Sequence, residues 1–421
     1  MKACMDHLAR GWCPGVARPM ATGDGLLARV HPPHGILSPA QARGLAAVSV
    51  RCGNGMVDIT SHGNLQLRGL TPATQGMALA ALAALGLADP APRPPYRATV
   101  VSPLAGLDPL EATDGLVLAQ AVEEMARAIA LPPKFLIAID SGGAFGLDAL
   151  APDVWVRAQA AGTLRLGLGG DSVPWTPPLP RAALDTALPA LLRAIAAALS
   201  RHGARRAHAM PAAARQALMP GAQALHLPSR AAPAAGAVML KGGTLGLLAA
   251  APFGQMPAAA LAGLADAAAR HGLDALRLTP RRGVLLPGLA PADLEPARAD
   301  IAALGLVTDP ADPRLRVITC PGAPACAAGL CQTHPLATRL AAALPPGDGE
   351  VHLSACAKGC ARRGASALTL VARDDAFAVI GNGGPLDPPL AILPFAEIAR
   401  RLAGAAALSH AFHAEAPRHD P

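Results

Sequence analysis

Gly23-Asp-Gly-Leu26-Leu-Ala-Arg29-Val-His-Pro-Pro33-His34-Gly35 and Gly242-Gly-Thr-Leu245-Gly-Leu-Leu248-Ala-Ala-Ala-Pro252-Phe253-Gly254 are one pattern written twice. A shift of 219 positions lays residues 23–87 on residues 242–306 without a gap. Gly44, Leu45, Gly53, Thr60, Leu67, Gly69, Leu70, Pro72, Leu85 and Gly86 then meet Gly263, Leu264, Gly272, Thr279, Leu286, Gly288, Leu289, Pro291, Leu304 and Gly305. Turn glycines and prolines keep register along with the apolar positions, which marks an internal duplication. Each copy reads as a strand (Leu26–Val30; Thr244–Leu248), a Pro/Gly turn and an Ala-rich helix (Pro39–Val48; Pro257–Arg270). Two strands around a Thr-started turn and a second helix (Pro72–Leu85; Pro291–Leu304) complete a β-α-β-β-α half. The two halves are expected to pair about a pseudo-twofold axis.

Outward from the repeats, residues 93–230 show a helix (Asp114–Ala130), an apolar strand (Phe135–Ile139), a Ser141-Gly-Gly143 turn and a helix (Ala182–His202). Residues 311–405 carry a cysteine group, a strand (Ala367–Ala372), a Gly-Asn-Gly-Gly turn at 381–384 and a closing helix from Pro394. The expected division is 1–92, 93–230, 231–310 and 311–405, with a flexible, frayed tail over 406–421.

At 421 residues with 52% hydrophobic and 15% charged side chains, the chain is long and apolar enough for packed cores, which excludes a disordered or fibrous protein. Aromatic residues make up 2%, so Ala and Leu build the cores and few rings remain to stack on bases; no nucleic-acid partner is expected. Hydrophobic runs are broken by Gly, Pro or charge short of a membrane span, and Asp6 and Arg10 interrupt any export signal, so the expectation is a cytoplasmic protein with no membrane partner. The net charge of +7 comes from Arg and Lys dispersed along the chain, as suits a polyanionic small molecule gripped from several segments.

Five of the eight cysteines fall between Cys320 and Cys360. Cys320-Pro-Gly-Ala-Pro-Ala-Cys326 and Cys356-Ala-Lys-Gly-Cys360 form a C-x5-C and a C-x3-C pair, with 29 residues between them. Four thiolates on two loops rich in small residues can wrap an iron-sulfur cube while backbone N–H groups approach the sulfurs. Zinc and disulfides are the competing readings, although neither spacing is that of the usual zinc knuckles. Cys331 is a fifth thiol, either a replacement ligand or a buried side chain.

The two cysteine pairs joined to a duplicated half-domain resemble the nitrite and sulfite reductase superfamily, over about residues 10–405. The resemblance implies an α+β fold of two pseudo-symmetric units, each a ferredoxin-like half-domain plus a larger α/β block. It also implies a 4Fe-4S cluster on Cys320, Cys326, Cys356 and Cys360 beside a tetrapyrrole site. Leu26–Arg29 leading to Pro33-His34-Gly35 resembles the strand whose Arg enters that site. Arg97, and Lys134 in Leu131-Pro-Pro-Lys-Phe135, fall on further basic positions. Thr60-Ser-His62-Gly-Asn64-Leu-Gln66-Leu-Arg68-Gly69 resembles the T-x-R-x-x-x-Q-x-x-G stretch. The resemblance thus makes Arg29, Arg97, Lys134, Gln66 and Arg68 substrate binders, with Arg forks and a Lys point charge suited to carboxylates.

Two departures stand out: His62 replaces the usual Arg, and Leu136 replaces a second Lys. Without that Lys the site lacks a cation and proton donor for bound sulfite or nitrite, which argues against the six-electron reduction that a siroheme enzyme performs. Arg10-Gly-Trp-Cys-Pro14-Gly, Gly53-Asn-Gly-Met-Val-Asp58-Ile-Thr60 and His352-Leu-Ser-Ala-Cys356-Ala-Lys-Gly-Cys360 are similar instead to the precorrin-3B synthase family. That resemblance implies precorrin-3A as substrate, dioxygen as oxidant, hydroxylation at C20 with γ-lactone closure, and an unidentified electron donor. It also implies a mononuclear non-haem iron besides the cluster, and siroheme remains the alternative cofactor; His62, in place of a residue expected to face the tetrapyrrole, and Arg29 are the candidate catalytic residues. The iron's ligands are not visible in the sequence. His31, His34, His62, His334 and His352 are the dispersed candidates, and His413-Ala-Glu415 has the facial-triad spacing.

Overall fold

The computed structural model describes residues 14–89, 99–159, 162–170, 173–362 and 364–412. Ser38 and Thr71 each begin a helix by a reciprocal capping box, to Gln41 and Thr74, with Pro39 and Pro72 preset at the first helical position. The helices so started, Pro39–Cys52 and Pro72–Ala84, lie where periodicity predicts them, the first running four residues further. Gly44 and Gly263 occupy equivalent helix positions where an added Cβ would sit 2.5 Å from Leu85 and 2.4 Å from Leu304, so these repeated glycines allow close approach.

The predicted Pro/Gly turns conceal two short strands, Ile36–Leu37 and Gln255–Pro257, and each crosses to the other half. One sheet runs Met20–Thr22, Gly25–Val30, Leu65–Leu70, Met56–Ile59, then Gln255–Pro257 from the second repeat. Its partner runs Gly236–Met239, Leu245–Ala250, Gly283–Leu289, Leu276–Thr279, then Ile36–Leu37 from the first. The core is accordingly shared: Leu45, Leu67 and Leu82 pack in one cluster with Leu247, Leu261 and Leu286. Two short strands are too small to fold alone, and only the partner's core buries them.

The two larger blocks repeat a second plan, three parallel strands followed by antiparallel ones. In the first, Thr99–Val101, Ile137–Asp140 and Val154–Gln159 lie under the helices Gly115–Arg127 and Leu184–Arg201. In the second, Val317–Thr319, Val351–Ser354 and Ser366–Ala372 lie under Thr333–Ala343 and Phe395–Ala403. Arg181–Arg201 is long and apolar enough by composition to cross a membrane, and its Leu184, Leu188, Leu192 and Ile195 side chains are buried in the second core.

Two expectations are corrected. The Gly-Asn-Gly-Gly segment is not a turn at 381: the strand Phe377–Gly383 continues through it, with Gly381 opposite Leu368 and Gly383 opposite Ser366. The tail is not frayed at its start, because Ala411 and Phe412 are buried in the third core after a short helical turn at Leu408–His410. A lone Phe gives little periodic signal, and its burial depends on a hollow that other segments make.

Replacing Leu45, buried between the halves, by Ala is expected to cost about 2–5 kcal/mol. Urea unfolding should show one transition for both half-domains, moved to lower denaturant as a unit.

Candidate active site

Pairing register creates the site. Arg29 lies opposite Gln66, Gln66 opposite Asp58, and Asp58 opposite Gln255, so four polar side chains form one row across four strands. Directly opposed residues project from the same face of a sheet, and their neighbours project from the other. Ala28, Val30, Leu65, Leu67, Val57, Ile59 and Met256 accordingly fill the core, while the row faces a cavity of about 390 Å3. Gln255 Nε2 donates to Asp58 Oδ1 at 2.7 Å, which ties the strand from the second repeat into the row.

The cavity brings together Arg29, Gln66, His62 and Lys134 with Cys320 and Cys360. His62 sits at an exposed edge, in the Thr60–Asn64 turn that closes through Thr60 N to Asn64 O at 2.8 Å and Gly63 N to Thr60 O at 3.0 Å. Lys134 has a left-handed backbone (φ 75) in the loop before the strand Ile137–Asp140. Buried Asp153 holds that loop by accepting from Leu136 N at 2.8 Å, and holds Arg206, also on the cavity wall, by accepting from its Nε at 2.9 Å. Leu136, where a reductase is expected to have its second Lys, lines the cavity as an apolar side chain.

Arg68 is not in the cavity. Its side chain is 3% exposed, donating from Nε to Asp24 Oδ2 at 2.9 Å, from Nη1 to Asp58 Oδ2 at 3.2 Å and from Nη2 to the Ala325 carbonyl at 2.7 Å. Burial opposes its charge, but Asp58 and Asp24 outweigh burial and raise its pKa. Position along the strand makes the difference: Gln66 and Arg68 share a face, but Arg68 lies beyond the cavity beside Asp24 and the cysteine loop. It therefore fastens that loop to the first half-domain. Arg97 lies outside the described residues, as do Cys4, Cys13, His413 and Glu415.

Cys320 directly follows the strand Val317–Thr319, and Cys356 comes two residues after Val351–Ser354, so both loops leave the carboxyl ends of adjacent parallel strands. Cys320, Cys326, Cys331, Cys356 and Cys360 are unbridged. Burial, then the neighbouring Cys356 and Cys326, push the Cys320 thiol above its ordinary pKa, against the N–H groups of Ala355 (3.5 Å from Sγ) and Gly322. Burial likewise raises Cys360, which responds to Cys356, Cys320 and Cys326 and is pulled down by Lys358. Cys320 and Cys360 thus resist ionising unless a positive centre takes their charge, which fits metal ligands. Cys331, raised by burial to about 11, responds to Cys320 and Cys356. A single-ion centre fits less well: among the described residues no three His, Cys, Asp or Glu side chains converge as a mononuclear iron needs. Of the histidine candidates, His31, His62 and His334 reach the cavity, His34 pairs with Glu123 at 3.2 Å, and His352 is fully buried outside it.

Sequence reasoning missed Asp58, Gln255, Arg206 and Arg282 as lining residues. A signal for two of the row's members was present in the repeats, since Arg29 and Gln66 coincide with Leu248 and Leu285. Polar residues that break an otherwise apolar correspondence mark the copy that kept the site. A second cavity, about 730 Å3, lies on the first block beside Trp155 and Trp175, but its Arg157 is neutralised by Asp140 and Asp148.

The nitrite/sulfite reductase ferredoxin-like half domain matches residues 18–85 and 239–304. A precorrin-3B synthase from Sinorhizobium sp is 35% identical over 407 residues, covering 89% of this chain and 83% of that protein. The chain belongs to the precorrin-3B synthase family. A ferredoxin–nitrite reductase from Synechococcus elongatus is 35% identical over 158 residues only, covering 35% of this chain and 31% of that one. The Mycobacterium tuberculosis NirA protein shares the fold, with a TM-score of 0.71 over 90% of this chain and 79% of its own, at 21% identity. The precorrin-3B synthase family thus uses the nitrite/sulfite reductase architecture, and the chain is an enzyme of that family.

Two outcomes are expected. Arg68→Met leaves Asp24 and Asp58 without their buried cation and should lower stability by about 3–5 kcal/mol in chemical denaturation. His352, with burial and then Arg362 and Arg282 lowering its pKa to about 4, is neutral in the folded protein. The unfolded chain binds that proton near pH 6.5, so the stability from a neutral His352 is complete above 6.5 and is lost as pH falls toward 4, by roughly 3 kcal/mol. Unfolding midpoints across this window should fall more steeply for the wild type than for His352→Leu.

Proposed function

We propose that the chain is a cytoplasmic, oxygen-dependent precorrin-3B synthase, which hydroxylates precorrin-3A at C20 while the ring A acetate closes a γ-lactone. The observation that carries the reading is the shared cavity: the Arg29–Gln66–Asp58–Gln255 row and Lys134 face the same space as Cys320 and Cys360. Cations on several walls suit a macrocycle with many carboxylates, and the apolar Leu136 leaves no second Lys for an inorganic oxyanion.

Cys320, Cys326, Cys356 and Cys360 would hold a 4Fe-4S cluster, which would supply electrons singly for dioxygen chemistry. Arg29 binds a substrate carboxylate through its two-pronged guanidinium and Lys134 binds another as a point charge. Gln66 and Gln255 offer neutral donors and acceptors that orient the ring without competing for its acid groups. His62, at the exposed edge, is placed to pass protons between solvent and the reacting face. One oxygen atom enters the product and the other leaves as water, with two electrons from a separate donor and two protons. A mononuclear iron has no three-ligand seat among the described residues, and no role here depends on one.

Anaerobically purified protein with iron and sulfide counted should convert precorrin-3A, under dioxygen, to a product heavier by one oxygen atom, labelled when the gas is labelled. A strong Soret-type band in the purified protein, with no such product, would instead indicate a siroheme reductase. Arg29→Gln should weaken tetrapyrrole binding roughly ten- to a hundredfold, as losing a charged hydrogen bond of about 1.5–3 kcal/mol requires. His62→Ala should slow turnover at least about a hundredfold, and unchanged turnover removes His62 from proton transfer.

A further inference from the structure

The turn Thr279–Gly283 is the second copy of the turn Thr60–Asn64, and it closes the same way, Arg282 N donating to Thr279 O at 3.1 Å. The left-handed residue of the first turn is Gly63 (φ 64), which adopts that backbone freely. Its counterpart is Arg282 (φ 60), a long side chain in a left-handed conformation that strains any residue but glycine. Strain at a position where the other copy uses glycine is kept only if the side chain returns something.

The Arg282 side chain reaches both cysteine loops. Nη1 donates to the Thr319 carbonyl at 3.2 Å, one residue before Cys320, and Nη2 donates to the Ala361 carbonyl at 3.4 Å, one residue after Cys360. It also forms part of the cavity wall. Among the described residues it makes no ion pair: Glu350 is engaged by Arg362 at 2.5 Å and Arg281 at 3.6 Å, and Asp58 by Arg68. Burial and the adjacent Arg281 disfavour its charge, and Cys320 is among the few groups that favour it. A desolvated cation without a carboxylate partner is costly unless another anion approaches it.

We propose that Arg282 is the counter-ion of the iron-sulfur cluster and the positioning residue that clamps its two loops at the substrate cavity. This rests on the cluster assignment made above. A cube held by four thiolates has a net negative charge that grows by one electron on reduction, so a fixed cation beside Cys320 favours the reduced state and raises the potential. The same guanidinium pins both loops, so the charge stays at one distance from the sulfurs. Strain at φ 60 is offset by these two roles.

The test is a redox titration of the full chain, reconstituted anaerobically with iron and sulfide and followed by the electron paramagnetic resonance of the reduced cluster. Arg282→Gly suits the left-handed backbone, keeps the turn and deletes the cation; circular dichroism checks that it folds. At a fixed potential its reduced-to-oxidised ratio should fall about tenfold, a shift of about 59 mV to lower potential for a one-electron couple. Arg282→Lys, keeping the charge but not the fork, should remain closer to the wild type in potential while losing iron faster on dilution. A wild-type potential in Arg282→Gly overturns the proposal. If Arg282→Gly binds no cluster, Arg282→Gln carries the same comparison. A wild-type chain that takes up neither iron nor sulfide fails earlier, at the cluster assignment, and ends the counter-ion role with it.

Discussion

The cross-strand register Arg29–Gln66–Asp58–Gln255 is the constraint on which the site depends. A slip of one residue in either of the first two strands would turn its polar side chains into the core and its apolar ones into the cavity. The register is held because Leu65, Leu67, Val30 and Ile59 can be buried only in this pairing, and because Gln255 closes the row from the other repeat. Hydrophobic burial thus positions polar chemistry: the core fixes the strands, and their outer face presents whatever the alternation leaves there.

The duplication would by itself make two such sites. The second row is Leu248, Leu285, Arg277 and Ile36, in the same strand order. Leu248 and Leu285 pack there against Leu104, Phe145 and Trp155 of the first block, and Arg277 donates to the carbonyls of Pro103 and Ala105. The surface that faces a cavity in one copy is thus a packing interface in the other. The blocks differ in the same sense: the loops after Val317–Thr319 and Val351–Ser354 carry Cys320 and Cys356, whereas those after Thr99–Val101 and Ile137–Asp140 carry Ser102 and Ser141. One half of the symmetric plan leaves its row open to a cavity, and the other closes its row by packing.

The repeat register, the helices behind capped prolines and the two cysteine pairs were legible because each is a local pattern: turn residues, 3.6-residue periodicity or spacing within a loop. Arg29, Gln66, His62 and Lys134 were legible through motif resemblance, and the structure brings them to one cavity. Arg68 belonged to the same motif but is consumed by Asp24 and Asp58, a distinction set by where its strand end meets the cysteine loop. Gln255 and Arg282 escaped notice because each lies in a turn between the predicted elements and outside the motifs that carry the resemblance.

By itself, the sequence determined that the chain is a duplicated α+β protein with two closely spaced cysteine pairs and a dispersed positive charge, since these follow from composition, period and spacing. Only the tertiary structure decided that each half lends a strand to the other, that one of two equivalent rows faces a cavity, and which cations line it. Those outcomes depend on contacts between residues some 200 positions apart, where register and burial, not local pattern, select the neighbour.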